Sequence, residues 1–332
     1  MMRNLRRWNV PALLKPAFLK LALLGQGLGL GLGLALLAGP VGSAQARDPG
    51  HGRLIEYRDI AVQGLPAQRL TIWLPPGYDA GHRRFPVLYM QDGHNLFDPA
   101  NSNFNKIWAA DKAMLAAVRQ ARITPHIIVG IWAPGADRWR QYLPADIYHA
   151  APPATRAAME RMGGGPVVSD IYVDWLSGPL KTWVDTQFRT LPDRDHTAIM
   201  GSSMGGLVSC YAFLRRPDIY GRAACISSHW PAVDPRAVET ADQAGLIALW
   251  DHWFAAGLGP ANGRRLWLDH GTATLDAYYE PYQLAVDQRI AQLGWRRGVD
   301  WQSRVYPGAA HDENAWSARL PEVLGWLLAK ED

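Results

Sequence analysis

The stretch His196-Thr197-Ala198-Ile199-Met200-Gly201-Ser202-Ser203-Met204-Gly205-Gly206-Leu207-Val208 decides how the rest of the chain is read. Its first half is an apolar, partly β-branched run of the kind that forms a buried strand. After the glycines a helical pattern resumes through Cys210, Tyr211, Phe213 and Leu214. The break spells Gly201-x-Ser203-x-Gly205, the pattern of a nucleophile elbow. A strand-to-helix turn this tight holds its serine in strained backbone geometry, and a Cβ two residues to either side would meet the neighbouring chain. The turn also predicts Ser203 at the N-terminus of a helix. There the dipole and the N–H of Met204 can meet a developing oxyanion.

Outward from the elbow, apolar runs alternate with helical patterns. Arg53–Ile60 and Gln68–Leu74 read as an antiparallel strand pair, and Phe85–Met90 as a strongly apolar third strand. Ile107–Arg119 reads as a helix, Ile127–Trp132 as a strand, and Ile171–Phe188 as a helix interrupted at Gly178-Pro179. Beyond the elbow come strands at Gly221–Ser227, Arg265–His270 and Trp301–Tyr306, with helices at Ala237–Ala256, Tyr278–Leu293 and up to about Leu328. Such alternation predicts an α/β fold with a mostly parallel sheet covered on both faces. Residues 133–168 show no clear period and are rich in Pro, Gly, Arg and aromatics, so a lid or substrate loop is expected there. With neither repeat nor interior linker, 47–332 reads as one catalytic domain.

A serine hydroxyl needs a base within hydrogen-bond reach, itself oriented by a carboxylate. His311 lies in the loop after the last strand and is the expected base. The acid is expected at Asp276, in the loop beyond the preceding strand, rather than at Asp269 inside the apolar run Leu266–His270. Asp276 has a competing role as N-cap of the helix that follows. The loop Gln91-Asp92-Gly93-His94 after the third strand offers the His94 N–H as a second oxyanion donor beside Met204, with Gly93 allowing a close approach; the alternative is a plain Asp-Gly turn. Arg138, Arg140 and Tyr142 are candidate substrate contacts on the long loop. His229 and Trp230, after an earlier strand, are candidates for a pocket wall, or are ordinary strand-end residues.

Composition narrows the class. Hydrophobic residues at 48% and charged residues at 19% are those of a globular protein. The net charge of +4 arises from residues 1–46, which hold Arg3, Arg6, Arg7, Lys15 and Lys20 and no acid, leaving 29 basic against 30 acidic residues beyond them. No nucleic-acid partner is expected on that balance. Those 46 residues carry a basic start, an apolar Gly-rich run from Leu21 to about Leu37, and Ala44-Gln45-Ala46. They read as a secretory signal peptide, and the protein as exported to the periplasm or beyond. An uncleaved membrane anchor is the alternative. Cys210 and Cys225 are expected as two buried thiols packing helix against strand, with a disulfide as the alternative. No Cys/His cluster has metal-ligand spacing.

Residues 53–330 resemble the "putative esterase" branch of the α/β-hydrolases, which includes enterochelin-esterase-like proteins, feruloyl esterases, S-formylglutathione hydrolases and mycolyltransferases. The carrying segments are Tyr89-Met90-Gln91-Asp92-Gly93-His94-Asn95-Leu96-Phe97, Gly201-Ser202-Ser203-Met204-Gly205-Gly206, and the His311 loop up to Trp316. Arg138–Pro144 is similar to a family segment Asn-Arg-x-x-Glu-Tyr-Leu-Pro, with Asp137 in place of the Asn and Gln141 in place of the Glu. The resemblance implies hydrolysis of a small-molecule carboxylic ester through an acyl-enzyme, without cofactor or metal. Acyl transfer to an alcohol is an alternative within the same fold. A non-catalytic binding protein on a hydrolase scaffold is a more distant one.

Overall fold

Eight strands form one sheet in the order β1-β2-β4-β3-β5-β6-β7-β8 in the computed structural model, which describes residues 50–120, 123–237 and 240–329. The expected signal segment, residues 1–46, lies outside the described residues. In chain order the first part comprises β1 (Arg53–Ile60), β2 (Gln68–Leu74), β3 (Val87–Met90), α1 (Ala110–Arg119) and β4 (Ile127–Ile131). Then come α2 (Arg138–Tyr142), α3 (Ala145–Ala150), α4 (Pro153–Gly163), α5 (Ser169–Trp175) and α6 (Lys181–Gln187). The elbow joins β5 (Thr197–Ser202) to α7 (Met204–Arg215). β6 (Arg222–Ile226), α8 (Thr240–Gly257), β7 (Arg265–Gly271), α9 (Glu280–Gln292), β8 (Trp301–Tyr306) and α10 (Glu313–Leu327) complete it. β1–β2 and β2–β4 pair antiparallel, and every other pairing is parallel, with Leu88 opposite both Ile128 and Ala198. This is the α/β-hydrolase architecture. Among the described residues no helix is long and apolar enough to cross a membrane.

The central strands are apolar throughout because both sheet faces are covered. Side chains alternate between two core layers at a period of two. Val87, Tyr89, Val129, Ile199, Cys225 and Leu268 point into one layer, beneath α5 and α7–α9. Leu88, Met90, Ile128, Met200, Ile226 and Trp267 point into the other, beneath α1 and α10. The break expected at Gly178-Pro179 is a single π-helical turn, 176–180, between α5 and α6. Proline lacks the N–H that an α-helix would need there.

Two expectations are corrected. Residues 133–168 are not an irregular loop: most of them form α2, α3 and α4, with Tyr142, Leu143, Ile147 and Met159 buried in the core. Helices this short carry one or two anchoring side chains each, too few to produce a readable period. The two cysteines are a disulfide, Cys210–Cys225, with Cα atoms 5.9 Å apart. Cys225 sits opposite Gly201 in the sheet register, so its side chain rises directly under α7, where Cys210 faces down. The bridge closes a 15-residue separation. Replacing both cysteines by alanine is expected to cost about 3 kcal/mol and to lower the thermal midpoint by roughly 5–10 °C in calorimetry.

Candidate active site

Ser203 stands between β5 and α7 with φ 58° and ψ −125°, a strained conformation for a residue with a side chain. Its neighbours explain the glycines. A Cβ at Gly201 would lie 2.6 Å from the Gly205 carbonyl oxygen, and one at Gly206 2.6 Å from Ser228 Oγ and 3.1 Å from the Ile226 carbonyl oxygen. At Gly205 the contacts are looser, with a Cβ lying 3.0 Å from Asp92 Oδ2 and 3.1 Å from Gln91 Cβ. The Ser203 backbone is held by its N–H to Ile226 O (3.0 Å) and by His229 N–H to its carbonyl (3.2 Å). Met204 opens α7, a position whose N–H has no acceptor within the helix.

His94 lies in the 3-10 turn Gly93–Asn95 that follows β3. Gly93 is required for a reason other than the expected close approach to substrate. A Cβ there would come within 2.6 Å of the Gly130 backbone in β4. The His94 ring packs against Trp132, and burial lowers its pKa below that of a free imidazole.

The loops after β7 and β8 are stitched together. Thr272 and Ala273 donate their N–H groups to Ala309 O, Gly308 N–H reaches Thr272 Oγ1 (2.7 Å), and His311 N–H reaches Thr274 Oγ1 (2.7 Å). Gly271 permits this, because a Cβ there would lie 2.2 Å from Ala309 O. The stitching brings Asp276 Oδ1 to 2.5 Å from His311 Nδ1. Asp276 Oδ2 accepts from Ser227 Oγ (2.6 Å) and the Gly271 N–H (2.5 Å). Burial opposes ionisation of this carboxyl. The hydrogen bonds from His311, Ser227 and Gly271 outweigh it and hold the pKa below the ordinary value. No side chain caps α9, so the carboxylate of Asp276 goes to His311 and not to a helix end. The His311 ring is fixed edge-on between Trp316 and Tyr279, at 5.1 and 5.6 Å between ring centres. Asp269 is fully buried, bonded to Arg319 Nη2 (2.7 Å) and Trp267 Nε1 (2.8 Å), and burial raises its pKa.

Ser203 and His311 line one cavity of about 660 Å³ at the carboxyl ends of the strands. The charges in its walls are mostly paired. Arg138 makes a two-pronged bond to Asp92, both contacts 2.7 Å, and Lys106 Nζ lies 2.7 Å from Asp312. Glu313 accepts from Asn95 Nδ2 at 2.9 Å. Phe104, 89% exposed, and Trp132 supply apolar wall.

Of the expected substrate contacts, the structure brings only Arg138 to this cavity. Arg140 bonds to Asp137 and the Pro166 carbonyl within its own segment. Tyr142 is fully buried against Tyr172. His229 is buried, bonded to Tyr279 Oη (2.7 Å) and Val233 O (3.0 Å), and burial together with nearby His311 pulls its pKa down to about 4. Trp230 is fully buried, with its indole N–H on Gln283. The reason is common to the last three: each side chain points into the packed layer beside the site. Gln141 likewise pairs with Gln68 in the interior. Asp92, Lys106 and Glu313 carried no sequence signal as cavity residues, because acids and lysines at loop ends are ordinary surface features.

Comparison with known proteins agrees with this architecture. A protein of Bacillus subtilis (strain 168) called "Uncharacterized protein YbbA" is 29% identical over 264 residues, covering 79% of this chain and 93% of that protein. A solved ferulic acid esterase superposes with a TM-score of 0.57 at 18% identity, covering 84% of this chain and 98% of the other. An IroE-like serine hydrolase from Shewanella oneidensis does so with a TM-score of 0.58, also at 18% identity, over 83% and 80%. The family model described as "Putative esterase" matches residues 67–327, a span that contains the elbow, the stitched loops and both walls of the cavity, and the chain belongs to that family of α/β-hydrolases.

Proposed function

We propose that the protein is an exported serine esterase that cleaves a carboxylic ester through a covalent acyl-enzyme. The observation that carries this reading is the meeting, in one cavity, of a serine on a strained elbow and a histidine whose Nδ1 is committed to a buried carboxylate. With Nδ1–H bonded to Asp276, Nε2 is left as the basic nitrogen. Ser203 Oγ attacks the ester carbonyl and passes its proton to His311 Nε2. The carbonyl oxygen gains the negative charge, and the N–H groups of Met204 and His94 receive it. As the tetrahedral species collapses, the C–O bond to the alcohol breaks and Nε2 returns the proton to the departing oxygen. Water then repeats the sequence and frees the acid, restoring Ser203. Membership of an esterase family and the esterases among structures of the same fold support this reaction class.

A fluorophosphonate probe tests the reading. The probe is expected to label one residue, Ser203, and to block ester hydrolysis in proportion to labelling. Labelling elsewhere, or activity that survives full labelling, would refute it. The cavity also bears on the substrate. Its lining sets two cations, Arg138 and Lys106, against three carboxylates, and the two cations are bonded to Asp92 and Asp312 rather than to Glu313. An ester carrying an extra carboxylate meets uncompensated negative charge there. Its kcat/KM is expected to fall at least roughly tenfold below that of an uncharged ester of the same size. Glu313→Gln should narrow that gap.

A further inference from the structure

Behind the Asp276–His311 pair lies a buried polar cluster that the steps above do not use. Ser227, immediately after β6, is fully buried and holds φ 42°. Its Oγ lies 2.6 Å from Asp276 Oδ2, 2.7 Å from Arg319 Nη2 and 3.2 Å from Trp316 Nε1. A guanidinium and an indole can only donate. Both lone pairs of the Ser227 hydroxyl are therefore occupied, and its one proton has a single acceptor, Asp276. A hydroxyl that would otherwise rotate is here a one-way donor.

Arg319, on α10, is 4% exposed and uses the same Nη2 to hold Asp269 Oδ1 at 2.7 Å. Its Nε and Nη1 are buried without hydrogen-bond partners among the described residues, where the guanidinium's hydrogen bonds go to Ser227 and Asp269. Asp269 also accepts the Ser227 N–H at 3.2 Å, which ties the serine's backbone and side chain to the same pair. The cluster thus contains two carboxylates and one guanidinium, a net charge of −1 that becomes zero when His311 gains a proton. A buried group of charges is least costly when it sums to zero.

We infer that Ser227 and Arg319 are positioning residues that keep the Asp276 carboxylate ionised and aimed at His311, with Asp269 on β7 holding Arg319 in place and adding its own negative charge behind the pair, so that this cluster tunes the basicity of the histidine. The inference rests on the serine-esterase reading of the site. It is independent of which ester is cleaved. The opposite directions in which the two carboxyls are pushed agree with it: burial raises Asp269, while donors hold Asp276 low.

The direction of each effect follows from charge. Ser227→Ala removes a donor from Asp276, leaves its negative charge less satisfied, and makes the imidazolium of His311 more favourable. The acid limb of kcat/KM against pH should move up by about 0.5–1 pH unit, with kcat about tenfold lower and KM within about twofold. Asp269→Asn removes a negative charge and leaves Arg319 more positive, so the limb should move down. The other groups facing His311 are untouched by either change. Tyr279 and His229 are kept neutral by burial, Asp312 is paired with Lys106, and Glu313 and Arg138 line the cavity wall with partners of their own.

The experiment measures pH profiles of the full-length protein and both variants, with fluorophosphonate titration of Ser203 giving the active fraction and calorimetry the folded state. Limb shifts of opposite sign at full labelling are the expected result. A role in packing alone would lower the labelled fraction and the thermal midpoint while leaving the limb in place, and that outcome, or shifts of the same sign, would overturn the inference. A wild-type protein whose Ser203 takes no label would overturn the esterase reading itself, and this inference with it.

Discussion

Ser203→Ala is expected to lower kcat for ester hydrolysis by about 10⁴–10⁶-fold while leaving the fold intact. Under the proposed mechanism the hydroxyl is the atom that forms the acyl bond, and no neighbouring group can replace it without moving the substrate. The elbow should survive the change. Its geometry rests on main-chain bonds, from Ser203 N–H to Ile226 O and from His229 N–H to Ser203 O, and alanine meets the same positive φ as serine does. The thermal midpoint should stay close to that of the wild type, so lost activity cannot be confused with lost structure. Gly201→Ala makes the contrasting case. Its Cβ would be driven against the Gly205 carbonyl, and a marked loss of folded protein is expected there. Steady-state kinetics beside calorimetry separates the two effects. A Ser203→Ala protein with more than about a hundredth of wild-type kcat would sink the nucleophile assignment.

Asp276→Asn should come next in size, lowering kcat by about 10²–10⁴-fold with little change in KM. Both carboxylate oxygens accept hydrogen bonds at present. One takes His311 Nδ1–H, and the other takes the Gly271 N–H and the Ser227 hydroxyl. An asparagine has one carbonyl oxygen to offer. The Gly271 N–H is a backbone donor that cannot turn away, so the amide oxygen settles on that side and the NH₂ faces His311. Nδ1 must then accept, and the ring's remaining proton moves to Nε2, the nitrogen that has to take a proton from Ser203. The slower reaction with a fluorophosphonate should track the slower turnover. Asp269→Asn should cost far less, about tenfold or under, since that carboxylate touches Arg319 and Trp267 and has no bond to the imidazole. A nearly wild-type Asp276→Asn beside a crippled Asp269→Asn would reverse the assignment.

Local chemistry determined much of this protein before any contact was known. An apolar run broken by Gly201-x-Ser203-x-Gly205 leaves few conformations open: the strand must end, the serine must strain, and the helix must begin. Alternating strands and helices from residue 85 onward dictate a mostly parallel sheet, because each crossover has to pack back on the same side-chain layers. β1, β2 and β8 occupy the residues their patterns predict, and the family resemblance held by the elbow, the His94 loop and the His311 loop agrees with the family model.

Tertiary structure decided everything that depends on two distant segments facing each other. Whether Cys210 and Cys225 pair is a matter of sheet register, which sets which side of β6 each residue presents to α7. Tyr142, His229 and Trp230 are aromatic residues at the edge of a site, and only packing tells whether such a side chain turns toward the cavity or into the core; here all three turn inward. The choice between Asp276 and Asp269 as the neighbour of His311 depends on the stitching of the β7 and β8 loops through Ala309, Thr272 and Thr274. Arg319 and Ser227 lie 92 residues apart, and nothing local marks either of them. A short-range pattern records what a chain segment can do with its own backbone and neighbours, whereas the direction of a side chain in the folded core is set by the shapes packed against it.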